Sequence, residues 1–421
     1  MVDQRANSQE QLNEIKSLLA RREVKRADVL ITRLLRSPLT GQSEIDLLLL
    51  RVEARIVTER PEDAFQDIQT LKSRFSASQR LPPILRQLEA DAFLLRYEMA
   101  LVGFADKGDI QAARGIYEAL LQEEPDYDNT GWVNYQLGRS ALMLSDVELA
   151  ERYFKSALFS PSSLPDLTAY CYERLGFIAY YEKRSAEQAC MFLDKAIHTY
   201  PAHAPVLWLI RVHLLKSRVL RTVQPLEALK SIDEAEKLAS YARSIQRAIL
   251  AEIALVRGEI LSDIPGQSAR TIEALQEFLQ ASKLPPGVDV TWSRAYEMLA
   301  DAHYREGNFE RAAEMYENTL RYNPDHPWEN ALLYRTALSH YHAGDYARAL
   351  NILERVIPHW DEVGADAFSG YVLYGDVLTA LSRVSSASYA YDLAMQHAPA
   401  GADITEIKQK KHAIQQVTRE R

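Results

Sequence analysis

Apolar residues recur along this chain with the three- and four-residue spacing of amphipathic helices. In one segment this spacing is followed by a Gly turn, a second helix and a Pro stop, at Tyr296, Leu299, Ala300, His303, Gly307, Ala312, Tyr316, Thr319 and Pro324. Positions i, i+3, i+4 and i+7 lie on one face of a helix, and Gly and Pro interrupt helices. The segment therefore predicts a helix-turn-helix pair.

The same arrangement returns along most of the chain. It is found from Tyr97 to Pro125, Leu137 to Ala157, Tyr172 to Pro201, Thr336 to Leu353 and Tyr371 to Pro399. Weaker second-helix signatures lie at Ala27-Ile31-Leu34, Ala64-Ile68-Leu71, Ala228-Ile232-Ala235 and Ala274-Phe278-Ala281. Self-similarity with a period of about 20–50 residues is typical of a repeat array, in which each unit buries its apolar face against its neighbours.

This pattern resembles the tetratricopeptide repeat family, whose signature places aromatic residues, Leu-Gly, Ala and Pro at fixed positions of a helix pair. The resemblance implies an all-α fold: a right-handed superhelical α-solenoid of about ten helix-turn-helix units with a C-terminal capping helix. Small residues such as Gly138 and Gly176 are predicted to let paired helices approach closely, and large ones such as Phe154 and Tyr391 to fill the space between neighbouring pairs.

The strength of the repeats suggests how the chain is divided. Residues 1–80 are predicted to form degenerate helix pairs, and residues 82–282 a first subarray with units at about 94–127, 131–164, 169–202, 205–240 and 242–282. A Pro-rich joint at 283–291 precedes a C-terminal subarray at 292–402, and residues 403–421 form the capping helix and tail.

Composition narrows the possible functions. The net charge of −9 does not favour nucleic acid or an anionic membrane as the main partner, although the basic stretch from Arg211 to Arg221 could form a local anion contact. Two cysteines, Cys171 and Cys190, cannot build a disulfide framework or a Cys-based zinc site. No apolar run suggests a membrane span or export signal, so we expect a cytoplasmic protein.

Motifs of catalysis are missing from the sequence. It contains no Gly-rich phosphate loop, no GxSxG elbow and no HExxH zinc motif. His340 and His342 are two residues apart on a predicted helix and do not share a face, which disfavours a metal site. We therefore expect no enzyme activity, no cofactor and no metal.

Aromatic residues are concentrated where the resemblance places the concave groove, on the first helices of the units. The predicted partner-binding residues are Trp132, Tyr135, Arg139, Tyr170, Glu173, Phe177, Tyr180, Tyr181, Tyr304, Tyr334 and Tyr341. Amphipathic rings with a few charges between them suit a peptide or helix bound through apolar anchors.

The leading interpretation is a bacterial-type scaffold or adaptor that binds a segment of another protein in this groove. One alternative is a structural subunit of a larger assembly, of secretion, pilus or defence type, that makes contact through its ends or convex face. Another is a sensor module that responds to a peptide or nucleic acid. Exposed apolar residues on the terminal helix pair, such as Leu12 and Ile15, would favour the structural subunit.

Overall fold

The fold is entirely helical in the part of the chain that this computed structural model describes. The described residues are 11–19, 23–36, 41–75, 80–100, 106–202, 205–241, 247–357 and 367–419, with backbone only for 417–419, and no strand occurs among them. The helices are α1 (11–19), α2 (Val24–Leu34), α3 (Gly41–Val57), α4 (Pro61–Ser73), α5 (Pro83–Met99), α6 (Lys107–Glu123), α7 (Thr130–Met143), α8 (Val147–Ala157), α9 (Leu167–Phe177), α10 (Ala186–Thr199), α11 (Val206–Leu220), α12 (Pro225–Tyr241), α13 (Arg247–Ser262), α14 (Ser268–Ala281), α15 (Val290–Arg305), α16 (Phe309–Tyr322), α17 (Glu329–His342), α18 (Tyr346–Val356), α19 (Ala367–Ala380), α20 (Val384–Gln396) and α21 (Thr405–Arg419).

Successive helices form pairs, from α1/α2 to α19/α20, and α21 follows the last pair. The chain divides into two compact units, an N-terminal unit, Met1–Ala204, and a C-terminal unit, Pro205–Arg421. The predicted all-α solenoid of about ten pairs with a C-terminal helix is confirmed. Its right-handed twist and the predicted subarray bounds, including the joint at 283–291, stay predictions.

Small residues let the two helices of a pair approach closely. A Cβ atom added to Gly138 would lie 2.7 Å from the Phe154 ring, and one added to Gly375 would lie 2.5 Å from the Tyr391 ring. Gly176 meets Leu193 in the same way, with a Cβ distance of 2.9 Å. The close approach predicted at Gly138 and Gly176 is therefore present, and it explains why a large residue on the second helix faces a small one on the first.

First helices also contact the first helices of neighbouring pairs. This holds for α3, α5, α7 and α9 in the N-terminal unit, and for α11 with α13, α13 with α15 and α17 with α19 in the C-terminal unit. Among the described residues, the second helices of neighbouring pairs do not make contacts of this extent with each other. Each unit therefore has its first helices on the concave side, which is where the predicted binding residues lie.

Helix α21 covers the apolar face of the last pair. Ile407 and Ile414 are buried in the same core cluster as Tyr371 and Tyr391. The Lys410 ammonium donates to an oxygen of Asp376 on α19 at 2.9 Å. A terminal repeat leaves one face without a neighbour, and an amphipathic helix shields that face from water.

Candidate functional site

Helices α7 and α9 position most of the predicted binding residues in the N-terminal unit. Trp132, Tyr135 and Arg139 follow one face of α7, while Tyr170, Glu173 and Phe177 follow one face of α9. Spacings of three and four residues bring such side chains onto a single stripe of a helix. The α7 and α9 stripes lie side by side because the two first helices are in contact.

An aromatic cluster occupies the N-terminal ends of these two helices. The Tyr135 ring lies 5.5 Å from the Trp132 ring and 6.2 Å from the Tyr170 ring, between ring centroids. Tyr135 is only 7% exposed, and burial raises the pKa of its phenol. The Tyr170 hydroxyl donates to Asp166 Oδ2 at 2.6 Å. Trp132 and Tyr170 therefore present the accessible ring surface, and Tyr135 supports them from below.

A buried carboxylate fixes the orientation of Trp132. Asp91 on α5 accepts hydrogen bonds from Trp132 Nε1 at 3.1 Å, from Gln136 Nε2 at 3.0 Å and from the Tyr117 hydroxyl. Its other oxygen accepts from Gln87 Nε2 at 3.2 Å. Burial raises the Asp91 pKa, and the donors oppose that shift by stabilising the carboxylate. No motif of the sequence marks Asp91 as part of this network.

A cavity of about 730 Å³ opens beside Trp132 and Tyr170. Its walls come from the last residue of α1, from α2 and α3 with their flanking residues, from α7, and from the start of α9 with the loop before it. They comprise Leu19, Glu23, Val24, Lys25, Arg26, Glu53, Val57, Thr58, Trp132, Leu164, Asp166 and Tyr170. Val57 is 60% exposed and Leu164 is 36% exposed, so the cavity offers apolar surface to a ligand. A concave, largely apolar space of this size is typical of ligand sites.

A second aromatic cluster lies at the other end of α9, where the helix continues as a π-helical turn, Ile178–Glu182. The Tyr181 ring is 4.6 Å from the Phe177 ring and 4.9 Å from the Tyr180 ring. Tyr181 is 37% exposed. A π turn inserts an additional residue into the helix and redirects the side chains around it, and such turns are frequent at functional sites.

Charged side chains separate the two aromatic clusters. Arg139 donates to Glu98 on α5 and, at 2.8 Å, to Gln136 Oε1. Glu173 Oε2 lies 2.9 Å from Arg174 Nε, but both atoms are buried and neither makes a hydrogen bond. Burial raises the pKa of Glu173, against the effect of the arginines. The two side chains therefore form a buried ion pair in the middle of the stripe.

The remaining predicted residues, Tyr304, Tyr334 and Tyr341, line a groove in the C-terminal unit. Tyr304 and Tyr334 line a cavity of about 380 Å³, and Tyr334 and Tyr341 line another of about 350 Å³. The two cavities share Tyr334 and Leu338 on α17. The structure thus brings these three tyrosines together, along the first helices α15 and α17.

Ion pairs connect first helices elsewhere in the C-terminal unit. Arg218 on α11 contacts Glu252 on α13 at 2.9 Å, and Arg221 contacts Asp263 at 2.5 Å. The basic stretch noted in the sequence is therefore partly neutralised by α13 and the residue that follows it.

Among the described residues, no group of three or more His, Cys, Asp or Glu side chains could bind a metal ion.

No helix among the described residues is both long and apolar enough to cross a membrane. Cys171 is buried, and burial raises the pKa of its thiol to about 12.

Known proteins resemble this chain in repeat type and fold. Residues 297–362 match the model of the tetratricopeptide repeat family. A search of curated proteins found no match. The chain is similar to a solved Signal Transduction ATPase with Numerous Domains from Pyrococcus horikoshii, described as having a tetratricopeptide repeat sensor, with 16% identity and a TM-score of 0.51. That alignment covers 89% of this chain and 55% of the other, so this chain spans about half its length.

Two further solved structures align over almost the whole chain. The apo form of the quorum sensor NprR from B. thuringiensis has 16% identity and a TM-score of 0.40, over 93% of this chain and 99% of the other. The TPR domain of P58(IPK) has 12% identity and a TM-score of 0.30, over 98% and 99%. The family match and the fold likeness to the P. horikoshii protein confirm the resemblance inferred from the sequence.

Proposed function

Because the chain is a tetratricopeptide repeat protein, we propose that it is a non-enzymatic scaffold or adaptor, and that its N-terminal unit binds a segment of a partner protein. The repeat fold supports protein interaction in general. The observation that carries the specific proposal is the cavity of about 730 Å³ beside Trp132 and Tyr170. Aromatic rings at the wall of a cavity are the groups most often found at the energetic centre of protein interfaces. The proposed setting is the cytoplasm.

The two aromatic clusters support the same proposal. They lie at opposite ends of α9, and the ion pair of Glu173 and Arg174 lies between them. The aromatic rings at either end would hold apolar side chains of the same segment.

The alternative functions receive less support. Leu12 is 8% exposed and Ile15 is fully buried, so the terminal pair does not offer these residues for end-to-end assembly. The ion pairs of Arg218 and Arg221 with acidic side chains reduce the charge available to nucleic acid. A sensor would bind its ligand in the same cavity. It would differ from a scaffold in the change that follows binding, so the test below applies to both functions.

The test compares two double variants that leave the net charge unchanged. Val57→Gln with Leu164→Gln removes apolar surface from the cavity wall, and both positions are already solvent exposed. Val29→Gln with Phe159→Gln is the matched control, because these residues are 70% and 90% exposed and lie outside the cavity. Circular dichroism should show equal helicity for both variants and the wild type.

The partner is first captured from the host by affinity chromatography and purified. Titration then gives its affinity for each protein, and cross-linking shows which helices it contacts. We expect a partner that binds the wild type and the control, cross-links near α3 and α9, and loses at least about tenfold in affinity for the cavity variant. Equal affinity for all three proteins would refute the cavity as the binding site.

A further inference from the structure

The charges around the cavity beside Trp132 and Tyr170 indicate which kind of ligand side chain would suit it. We propose that the cavity binds a cationic side chain, arginine or lysine, of the partner segment, between the Trp132 and Tyr170 rings and the Glu53 carboxylate. This inference rests on the proposed function and names the chemistry of its ligand.

Glu53 is the acidic wall of the cavity. It lies on α3, its side chain is exposed, and it lines the same space as Trp132. Within the described segments no hydrogen bond or ion pair engages the Glu53 carboxylate. Solvent reaches the carboxylate, but the protein around it partly desolvates it, and together with the nearby Asp91 carboxylate this raises the Glu53 pKa. A cation placed beside Glu53 would oppose this rise, because an opposite charge favours the ionised carboxylate.

The aromatic walls favour the same ligand. A cation over the face of an indole or phenol ring is attracted by about 0.5–2 kcal/mol, depending on how far it is desolvated. The Trp132 Nε1–H donates to Asp91, so a negative charge lies at the edge of this indole. That charge adds to the attraction that the ring exerts on a cation in the cavity.

The basic residues of the cavity compensate only part of its negative charge. Arg26 contacts Glu23 within α2 and its cap, so these two charges offset each other. Lys25 is the other cation of the wall, and it offsets one of the two remaining acidic residues, Glu53 and Asp166. The wall therefore keeps one excess negative charge. An anionic side chain would therefore meet a wall with an excess of negative charge, and an apolar one would desolvate Glu53 without pairing it.

The test uses peptides that differ only in charge at one position. Four acetylated and amidated peptides carry arginine, lysine, norleucine or glutamate at the centre of an otherwise identical sequence. The full-length protein is labelled with 5-fluorotryptophan, and the fluorine signal of Trp132 is assigned from a Trp132→Phe variant. Titrations report binding at the cavity wall itself.

We expect the arginine and lysine peptides to shift the Trp132 signal and to bind at least about tenfold more tightly than the norleucine peptide. Glu53→Gln should lower the affinity for the arginine peptide about tenfold and leave the norleucine peptide unchanged. Glu62→Gln is the matched control, since Glu62 carries the same charge on α4 and lies outside the cavity.

Several results would each overturn the cationic ligand and leave the proposed function standing. Norleucine binding as tightly as arginine would do so, and so would an equal effect of Glu53→Gln and Glu62→Gln. Preference for the glutamate peptide, or no Trp132 shift with any peptide, would also overturn it. The proposed function is decided separately, by capture with the Val57→Gln and Leu164→Gln double variant.

Discussion

Replacing Asp91 by alanine should destabilise the N-terminal unit by about 3–5 kcal/mol, the usual cost of removing one partner from a buried charged network. The structure sets the magnitude. The substitution leaves the Tyr117 hydroxyl and the amides of Gln87 and Gln136 without their acceptor, and Tyr117 is fully buried. Each unpaired buried donor costs about 1–3 kcal/mol. Part of that sum is returned because a desolvated carboxylate is also removed.

Hydrogen exchange of the α5, α6 and α7 amides is the appropriate assay, because repeat arrays can open one part at a time. The loss should appear in these helices, and the exchange of α15 to α20 should remain unchanged. Urea unfolding gives the total. A loss below about 1 kcal/mol, or one spread equally over both units, would refute the assignment of Asp91 as the acceptor that fixes this network.

Asparagine at the same position separates the shape of the side chain from its charge. Asp91→Asn keeps the oxygen that accepts from Tyr117, Trp132 and Gln136, and it loses the acceptor of Gln87. We expect a cost of about 1–2 kcal/mol at neutral pH. Burial raises the Asp91 pKa, so the folded state binds this proton more tightly than the unfolded state. Lowering the pH from about 7 to about 5 should therefore shift the stability difference toward the wild type.

Two further predictions concern packing and reactivity. Gly375→Ala should destabilise the C-terminal unit by about 1–3 kcal/mol in thermal unfolding, because the added Cβ would lie 2.5 Å from the Tyr391 ring. Gly115→Ala should instead stabilise α6 by about 0.5–1 kcal/mol, because an added Cβ there would have no atom within 4 Å. With a thiol pKa of about 12, Cys171 should resist a disulfide reagent at pH 8 until the protein unfolds, while the half-buried Cys190 reacts first. Equal effects of the two glycine variants, or equal labelling of the two thiols, would contradict these expectations.

The helix pairs could be predicted from the sequence because their determinants are local and periodic. Even the degenerate pairs obey the same packing rule. The first helix α13 lacks Leu-Gly, yet Gly258 occupies the close-approach position, where a Cβ would lie 2.5 Å from Leu275. In α11 the fully buried Ser217 is a small residue in a helix that also lacks the motif. A small residue outside a Leu-Gly motif can therefore take the close-approach position, as Gly258 does, so a search for Leu-Gly underestimates the array.

Hydrogen bonds between the two helices of a pair could not be predicted in this way. Tyr316 and Tyr391 each donate to an aspartate on the first helix of their own pair, with the same sequence separation. Tyr117 makes the same contact with Asp91, but over a longer separation, since the connection between α5 and α6 is longer. Periodicity alone does not show that these three pairs are equivalent.

The cavity beside Trp132 shows why a stripe of aromatic residues does not by itself define a site. The periodic positions of α7 and α9 place Trp132 and Tyr170 on the concave side, and the sequence is sufficient to predict this. The opposite walls come from Leu19, Val24 and Glu53, which belong to degenerate pairs far away in sequence. Their position depends on how much each pair rotates relative to the next, and that rotation follows from packing over several helices. The acidic wall, and with it the charge of the expected ligand, therefore emerges only from the assembled unit.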